Sequence, residues 1–396
     1  MRMRSTNPAA GQIVGRLLAA AVLLLLPVCS TVLAQSVRVE GSSGVDIHIG
    51  VLGLFHPSQF TVSASIGSAL VLHAGEERIV LEKSSGVDSA SIRVSGDGVA
   101  VTTGTRVVRA SKLTVSGRNG EEVEFVLAIP EKITRRYRGT LQITRSDDTL
   151  VAIVTMDRET AVASVVAAES APDAPLEALK AQAVAARSYL AASLGRHQEF
   201  DFCDTTHCQF LREPPAYGSA AAVAVAATRD LVLEYESRPF PAMYTRSCSG
   251  RTHTPAQLGL SSAAYPYYSV ECKYCNAHPS RWSSRISAQD ATALHSSDEA
   301  ARLGLDRRLG WAAVQSNDFV AKKESDEVLL AGTGKGHGIG LCQSGAKAMA
   351  EQGADFRQIL SHYYPNTTVS ACPTLPQGSG GPHRLRDSPD FHLPHE

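Results

Sequence analysis

The group in this chain best placed for acid–base chemistry is Glu169, which follows the apolar run Val165-Val166-Ala167-Ala168 and precedes a helix. A carboxyl in apolar surroundings keeps its proton to higher pH, which is what a general acid must do. Downstream, His197, Cys203 and Cys208 fall within a dozen residues, with His207 as an alternative to His197. Imidazole and thiolate are the ligands tetrahedral zinc prefers, and a closed four-ligand site would brace a loop rather than activate water. The Cys203 to Cys208 spacing also suits a disulfide, as does Cys272-Lys273-Tyr274-Cys275, which could instead supply further ligands or a separate site. Asp204 is the second carboxylate that a hydrolytic mechanism would use. Gly334-Lys335-Gly336-His337-Gly338-Ile339-Gly340 frees its backbone for close approach to a ligand. It lacks the ending of a P-loop and no βαβ unit surrounds it, so phosphate binding has little support. Each group also has an ordinary structural reading: acids near helix starts and lone histidines are usually satisfied local hydrogen-bonding groups.

These side chains need elements to hold them. Asp173 and Pro175 mark a helix start, and Leu176, Leu179, Ala183, Ala186 and Leu190 make one apolar stripe along a helix that Gly195 would stop. Gln182, Arg187 and Tyr189 ride on this alanine-rich helix. The run before Glu169 reads as strand-like. From residue 35 to 134 the chain is rich in Val, Ile, Thr, Ser and Gly, with alternating runs such as Arg78–Glu82 and Gly98–Thr103, and predicts an all-β accessory region. Arg136–Ile143 and Thr149–Val154 flank the turn residues Ser146-Asp147-Asp148 and predict a hairpin opening a second unit, residues 135–372. Within it, helices are expected over Ser219–Arg229, from Ser287 to Leu294, over Ser344–Glu351 with a stop at Gly353, and from a cap at Asp355 to Tyr363. Leu231–Tyr235 and Phe240–Tyr244 predict a strand pair. The expected class is α+β.

The chain has 396 residues and a formal net charge of −1, which gives no electrostatic case for nucleic acid or an acidic membrane surface. Arg2, Arg4 and Arg16, the apolar stretch Leu17–Val28 and Val32-Leu33-Ala34 read as a signal peptide, residues 1–34, cleaved after Ala34. Its apolar run is shorter than the roughly 20 residues a bilayer core requires, so no membrane span is expected after cleavage. Cys29 matches a lipidation site poorly. Seven cysteines follow Ala34, an odd number that cannot all pair within one chain. Residues 373–396 have little to bury and are expected to be disordered. Asn366-Thr367-Thr368 reads as a plain loop after a helix.

Three separated stretches carry a resemblance to a known family. They are the run from Val165 to Leu190, Tyr244-Thr245-Arg246-Ser247-Cys248-Ser249-Gly250-Arg251-Thr252, and Gly334 to Ala346. In the same order they resemble the SpoIID/LytB family of bacterial cell-wall proteins, over roughly residues 135 to 370. The resemblance implies an exported lytic transglycosylase that cuts peptidoglycan glycan strands between N-acetylmuramic acid and N-acetylglucosamine and prefers strands without stem peptides. A non-enzymatic modifier of a cell-wall amidase is the alternative it carries. It makes Glu169 the catalytic acid, and it makes Gln182, Arg187, Tyr189, Gln209, Ser247, His337 and Gln343 the glycan-binding set. Some family members hold structural zinc at the position of His197, Cys203 and Cys208. Where the family has a Leu-Glu-x-Tyr-Leu segment this chain has Arg158-Glu159-Thr160-Ala161-Val162, which leaves the role of Glu159 open.

Overall fold

The computed structural model describes residues 44–261, 264–295 and 297–372. The expected signal segment, Cys29 and the tail from Pro373 lie outside the described residues. The fold is α+β, as the mixture of alternating and helical patterns predicts.

Eleven strands come first: β1 (Asp46–Val51), β2 (Gln59–Ala64), β3 (Ala69–Ala74), β4 (Glu77–Glu82), β5 (Ser89–Ser95), β6 (Gly98–Thr103), β7 (Arg106–Ala110), β8 (Lys112–Ser116), β9 (Val123–Ile129), β10 (Ile133–Ser146) and β11 (Thr149–Asp157). The expected hairpin is β10–β11, with Asp147 in the left-handed region that its turn needs. With β12 (Phe202–Cys203), these strands form one sheet in which β10 is central. Its first half pairs with β9, and its second half pairs with β8 and β11. The change of partners falls at Gly139, where φ is 151° and a Cβ would stand 2.3 Å from the Thr155 carbonyl oxygen. Only glycine allows that approach.

This sheet corrects the expected boundary between residues 134 and 135. The boundary would cut β10 in the middle of the sheet, and β1 pairs with β11 and β12 from the other side of it. One core runs from Ile47 on β1 through Leu127 and Val154 to Val165, Leu179 and Val225. The β-rich region is thus the floor on which the first helices pack.

Those helices are α1 (Arg158–Glu169), α2 (Leu176–Ala192) and α3 (Ala220–Ala227). The Asp157 carboxylate caps α1 by accepting from the Glu159 amide at 3.0 Å. Val165 to Ala168, expected as strand, are the last turns of α1. A short apolar run does not distinguish helix from strand, and the preceding Ala161, Val162 and Val165 place a helical stripe on the core. Helix α2 is buried on nearly every side. Leu179, Ala183 and Ala186 join the first core, while Ala181, Val184 and Ala185 join a second built with Leu233, Phe240, Leu341 and Leu360. Alanine makes this possible because its small side chain lets elements approach from both directions. Asp173 does not cap α2; it pairs with Lys347, and Pro175 occupies the cap position.

After α3, which lies within the expected Ser219–Arg229 helix and is capped by Ser219, come β13 (Leu231–Tyr235), β14 (Arg238–Pro239) and β15 (Tyr244–Thr245). Phe240–Tyr244 does not return along β13; only Arg238 and Pro239 do. There follow α4 (Lys273–Ala277), β16 (Arg281–Ser287), α5 (Ala288–Ala291), α6 (Glu299–Leu309), β17 (Phe319–Glu324), β18 (Glu327–Thr333), β19 (Leu341–Cys342), α7 (Gln343–Glu351), α8 (Phe356–Tyr363) and β20 (Thr368–Ala371). Helix α8 carries a reciprocal cap between Asp355 and Gln358, and α5 is a single turn capped by Ser287. Strand β15 pairs in parallel with β19, which joins segments nearly a hundred residues apart.

Arg187 holds α2 to α1. Its guanidinium grips both Glu159 oxygens, at 2.8 and 2.6 Å, donates to the Leu231 carbonyl at 2.9 Å and is 0% exposed. This corrects the expectation that Arg187 binds glycan and gives Glu159 its role: the two form a core ion pair. Removing Arg187 leaves the buried Glu159 carboxylate only the Arg158 guanidinium, at 3.5 Å and without its bidentate hydrogen bonds. Arg187→Leu is expected to lower unfolding free energy by about 3–5 kcal/mol, and adding Glu159→Leu to recover much of that loss, both read by denaturant titration. An unchanged midpoint in Arg187→Leu would contradict this assignment.

Candidate active site around Glu169

Glu169 ends α1, so its carbonyl is one of those a helix terminus leaves without an internal partner. Two distant side chains satisfy it: the Arg246 guanidinium donates at 3.3 Å, and the Gln343 amide donates at 3.2 Å. The carboxyl turns the other way, and its Oε1 accepts from the backbone amide of Phe210 at 2.9 Å. Three chain segments therefore converge on one residue. Burial pushes its pKa up to about 7, against smaller lowering by the Phe210 amide, the Arg246 charge and the Tyr244 hydroxyl. The negative end of the α1 dipole acts in the same direction as burial. The carboxyl therefore keeps a substantial protonated fraction at neutral pH, where an ordinary glutamate is fully ionised.

Several polar groups near it lack protein partners. Gln182 is 2% exposed, and its Oε1 accepts from Gln343 at 3.3 Å while its Nε2 is unpaired. The Tyr244 hydroxyl lies close enough to Glu169 and Gln182 to act on both, yet it makes no hydrogen bond of good geometry with either. Gln209, next to Phe210, donates to the Ala186 carbonyl at 3.4 Å and leaves its Oε1 unpaired. Buried polar atoms are normally satisfied, so unpaired ones gathered about an acid mark a place where a polar ligand completes the bonding. A cavity of about 460 Å³ opens at the next residue, Ser170, and is walled by Gln182, Arg246, Tyr274, Gln343 and Lys347 among others.

The loop bearing Phe210 is held by the His/Cys cluster. His197, Cys203, His207 and Cys208 each offer a ligand atom, and these lie within 4.8 Å of one another. His197 Nε2 is 3.4 Å from Cys208 Sγ, and His207 Nδ1 is 3.7 and 3.6 Å from Cys203 and Cys208 Sγ. His207 thus joins the cluster beside His197. Every cysteine among the described residues is a free thiol, so neither expected disulfide is formed. Cys203 is tied to the sheet by the β12 pairing with β1, and Phe200 covers Gly50, where a Cβ would lie 2.4 Å from the ring. Asp204 anchors the same loop: its carboxylate accepts from the Tyr137 hydroxyl at 2.9 Å, and burial lifts its pKa to about 6. That carboxylate is committed to positioning the loop.

Other expected ligand-binding residues sit elsewhere. Tyr189 is buried with its ring against Phe202 and under the Arg196 guanidinium. The Ser247 hydroxyl faces the Cys275 sulfur at 3.6 Å. His337 Nδ1 accepts from the Ile339 amide at 3.0 Å, and burial lowers its pKa to about 4, so the ring is neutral; Glu299, Arg302 and His253 are the titratable groups acting on it. The ring also bonds to the Tyr244 backbone and makes no hydrogen bond to the Glu169 carboxyl. The glycines around it serve packing: a Cβ at Gly340 would meet the Met243 carbonyl oxygen at 2.0 Å, and one at Gly338 would meet the His253 ring at 2.6 Å. The amides of Gly334, Lys335, Gly336 and Gly338 bond to Ser280, Ser247, Gln315 and Thr245, which corrects the expectation of a ligand-facing loop.

Tyr244 and Arg246 are the site residues that reading the sequence missed. A signal for them exists. In an extended segment alternate residues share a face, so Tyr244 and Arg246 must point together and Ser247 away.

The Stage II sporulation protein (SpoIID) family profile matches residues 146–235, a span that begins in the β10–β11 hairpin and contains Glu169, Gln182 and the His/Cys cluster. The chain is a SpoIID/LytB-domain protein. Over 266 residues, 59% of this chain and 72% of the relative, it is 29% identical to an uncharacterized protein of Brachyspira hyodysenteriae. It is 28% identical to Stage II sporulation protein D of Bacillus amyloliquefaciens over 53% of this chain and 73% of that protein. A shorter match, 41% identical over 63 residues, covers 16% of this chain and 9% of an amidase enhancer of Bacillus subtilis. These relatives support a cell-wall-related function for the SpoIID domain.

The raised pKa of Glu169 has a thermodynamic consequence. An acid whose folded pKa stands above its ordinary value of 4.5 contributes stability that is fully present below that value and is lost as pH rises through about 7. Glu169→Gln is therefore expected to gain stability on wild type progressively across this window and to keep a constant advantage above it, at most about 3 kcal/mol. Unfolding curves at a series of pH values read this out. A pH-independent difference would show a carboxyl that titrates normally.

Proposed function

We propose that this protein is a peptidoglycan lytic transglycosylase, exported to the cell envelope, that cleaves the bond between N-acetylmuramic acid and N-acetylglucosamine with Glu169 as its single catalytic carboxyl. The observation carrying this reading is a buried acid with its pKa raised to about 7, among incompletely bonded polar groups and one residue from the lining of a cavity. Glu169 donates its proton to the bridging oxygen as the glycosidic C–O bond breaks. The carboxylate left behind then takes the proton of the muramyl C6 hydroxyl, whose oxygen bonds to the anomeric carbon and closes a 1,6-anhydro ring. The acid is regenerated and no water enters. A carboxyl whose pKa lies near the working pH suits both halves of this cycle. Gln182, Gln343, Tyr244 and Arg246 are the side chains we assign to glycan contact, on strands lacking stem peptides.

His197, Cys203, His207 and Cys208 are a donor set that fits zinc, and we assign them a structural ion. When bound, it closes the loop between Cys203 and Cys208 and so fixes Gln209 and Phe210, and with them the amide on which the Glu169 carboxyl rests. The short match to an amidase enhancer supports a second reading, a glycan-gripping modifier of a cell-wall amidase.

Purified protein incubated with denuded glycan strands, with products read by mass spectrometry, separates the two. The enzyme reading predicts anhydromuramyl ends, their loss by at least about a hundredfold in Glu169→Gln, and a rate that falls as pH rises above about 7. Tight glycan binding without products, together with stimulation of an added amidase, would support the modifier instead. Reducing ends carrying oxygen from labelled water would show hydrolysis and contradict the proposed cycle.

A further inference from the structure

A second group of thiols lies on the other side of the site. Cys248 follows β15, Cys272 and Cys275 bracket the start of α4, and Cys342 precedes α7. All four are at most 2% exposed, and their sulfurs lie within 4.8 Å of one another. The Cys272–Cys275 spacing allowed a separate site, but nothing local pointed to Cys248 and Cys342 as its other members. The parallel β15–β19 pairing brings Cys342 beside Cys248, and the hydrogen bond from the Cys272 amide to the Gly250 carbonyl, 2.8 Å, delivers the other pair.

We propose that Cys248, Cys272, Cys275 and Cys342 form a tetrathiolate zinc site. A zinc ion with sulfurs about 2.3 Å away in tetrahedral array separates them by roughly 3.8 Å, and Cys275 and Cys342 Sγ stand 3.6 Å apart. That is too long for a disulfide, and four sulfurs all within 4.8 Å of one another lie too close together to surround an iron–sulfur cluster. The surroundings suit thiolates. The amides of Cys248 and Gly345 donate to Cys342 Sγ at 3.3 and 3.4 Å, the second of these at the N-terminus of α7, where the helix dipole favours negative charge. The hydroxyls of Ser247 and Tyr363 stand 3.6 and 3.5 Å from the Cys275 and Cys272 sulfurs. Four bare thiols packed this closely bury their hydrogens against one another; a divalent cation replaces those protons, which leave for solvent on binding. The chain positions of the ligands give the site a purpose. Cys248 lies two residues beyond Arg246, and Cys342 adjoins Gln343, the two side chains that hold the Glu169 carbonyl. The ion pins this wall of the cavity as the His/Cys cluster pins the loop opposite. Its presence does not depend on whether Glu169 is catalytic.

The test uses the full chain, purified under reducing conditions and loaded with zinc. Metal content by mass spectrometry is expected to fall by about one ion per chain in Cys272→Ser/Cys275→Ser. The same loss is expected on top of Cys203→Ser/Cys208→Ser, while Cys372→Ser changes nothing. Cobalt loaded into wild type is expected to show the intense sulfur-to-metal charge transfer and visible bands of an all-thiolate tetrahedral ion, a readout that needs no folded variant. Absence of that signature in wild type, or a folded Cys272→Ser/Cys275→Ser protein with unchanged zinc, would overturn the proposal. An intact mass showing disulfides among these four cysteines in protein isolated without reductant would do the same.

Discussion

Everything in this structure turns on the cost of holding a carboxyl away from water at the end of a helix. Glu169 has one well-formed hydrogen bond on its carboxyl, from the Phe210 amide, with the Tyr244 hydroxyl nearby, and sits where the α1 dipole is unfavourable to negative charge. A single neutral donor does not offset the lost hydration, and the group answers by keeping its proton. Arg246 is near enough to oppose this, but its guanidinium is exposed and spends its hydrogen bond on the backbone carbonyl. Were it to swing onto the carboxylate, the acid would ionise. Its restraint by the carbonyl is therefore as important as its charge.

The rest of the fold can be understood as holding the three segments that meet there. Helix α1 is fixed at its start by Asp157 and along its side by the Glu159–Arg187 pair, which anchors it to α2. The 203–210 loop is fixed by the sheet, by Asp204 against Tyr137 and by the His/Cys cluster. The wall bearing Tyr244, Arg246 and Gln343 is fixed by a short parallel pairing and four buried thiols. Short elements of two residues do not hold themselves in place, so contacts that reach across sequence, such as the two side-chain clusters, hold them in both places. The large N-terminal sheet contributes by sharing its core with α1 to α3 rather than by offering reactive groups of its own.

How much of this was visible in the sequence depended on whether the determining forces were local. Helices α3, α7 and α8 and the β10–β11 hairpin were legible because caps and turn residues act within four positions of the chain. Glu169 was legible through its family-like setting, although the run before it belongs to a helix. What escaped was decided by tertiary contact. Arg187 looks like a ligand-binding residue until Glu159 is found opposite it, and His337 looks poised for chemistry until its ring is seen bonded to the backbone of Ile339 and Tyr244. The thiols of Cys248 and Cys342 carry no local spacing at all, and the glycines near residue 338 are demanded by neighbours from the 243–253 segment. In each case the partner lies far along the chain, beyond what periodicity or capping can reveal.

The upward shift of the Glu169 titration into the neutral range matters most, and it can be observed without substrate. Protein carrying carboxyl-labelled glutamate, compared with Glu169→Gln to identify the resonance, gives the titration of that one group by carbon NMR. The account predicts a midpoint near pH 7, as burial beside the Phe210 amide requires. A midpoint near the ordinary 4.5 would mean that the carboxyl is hydrated and ionised, and would contradict the account at its foundation.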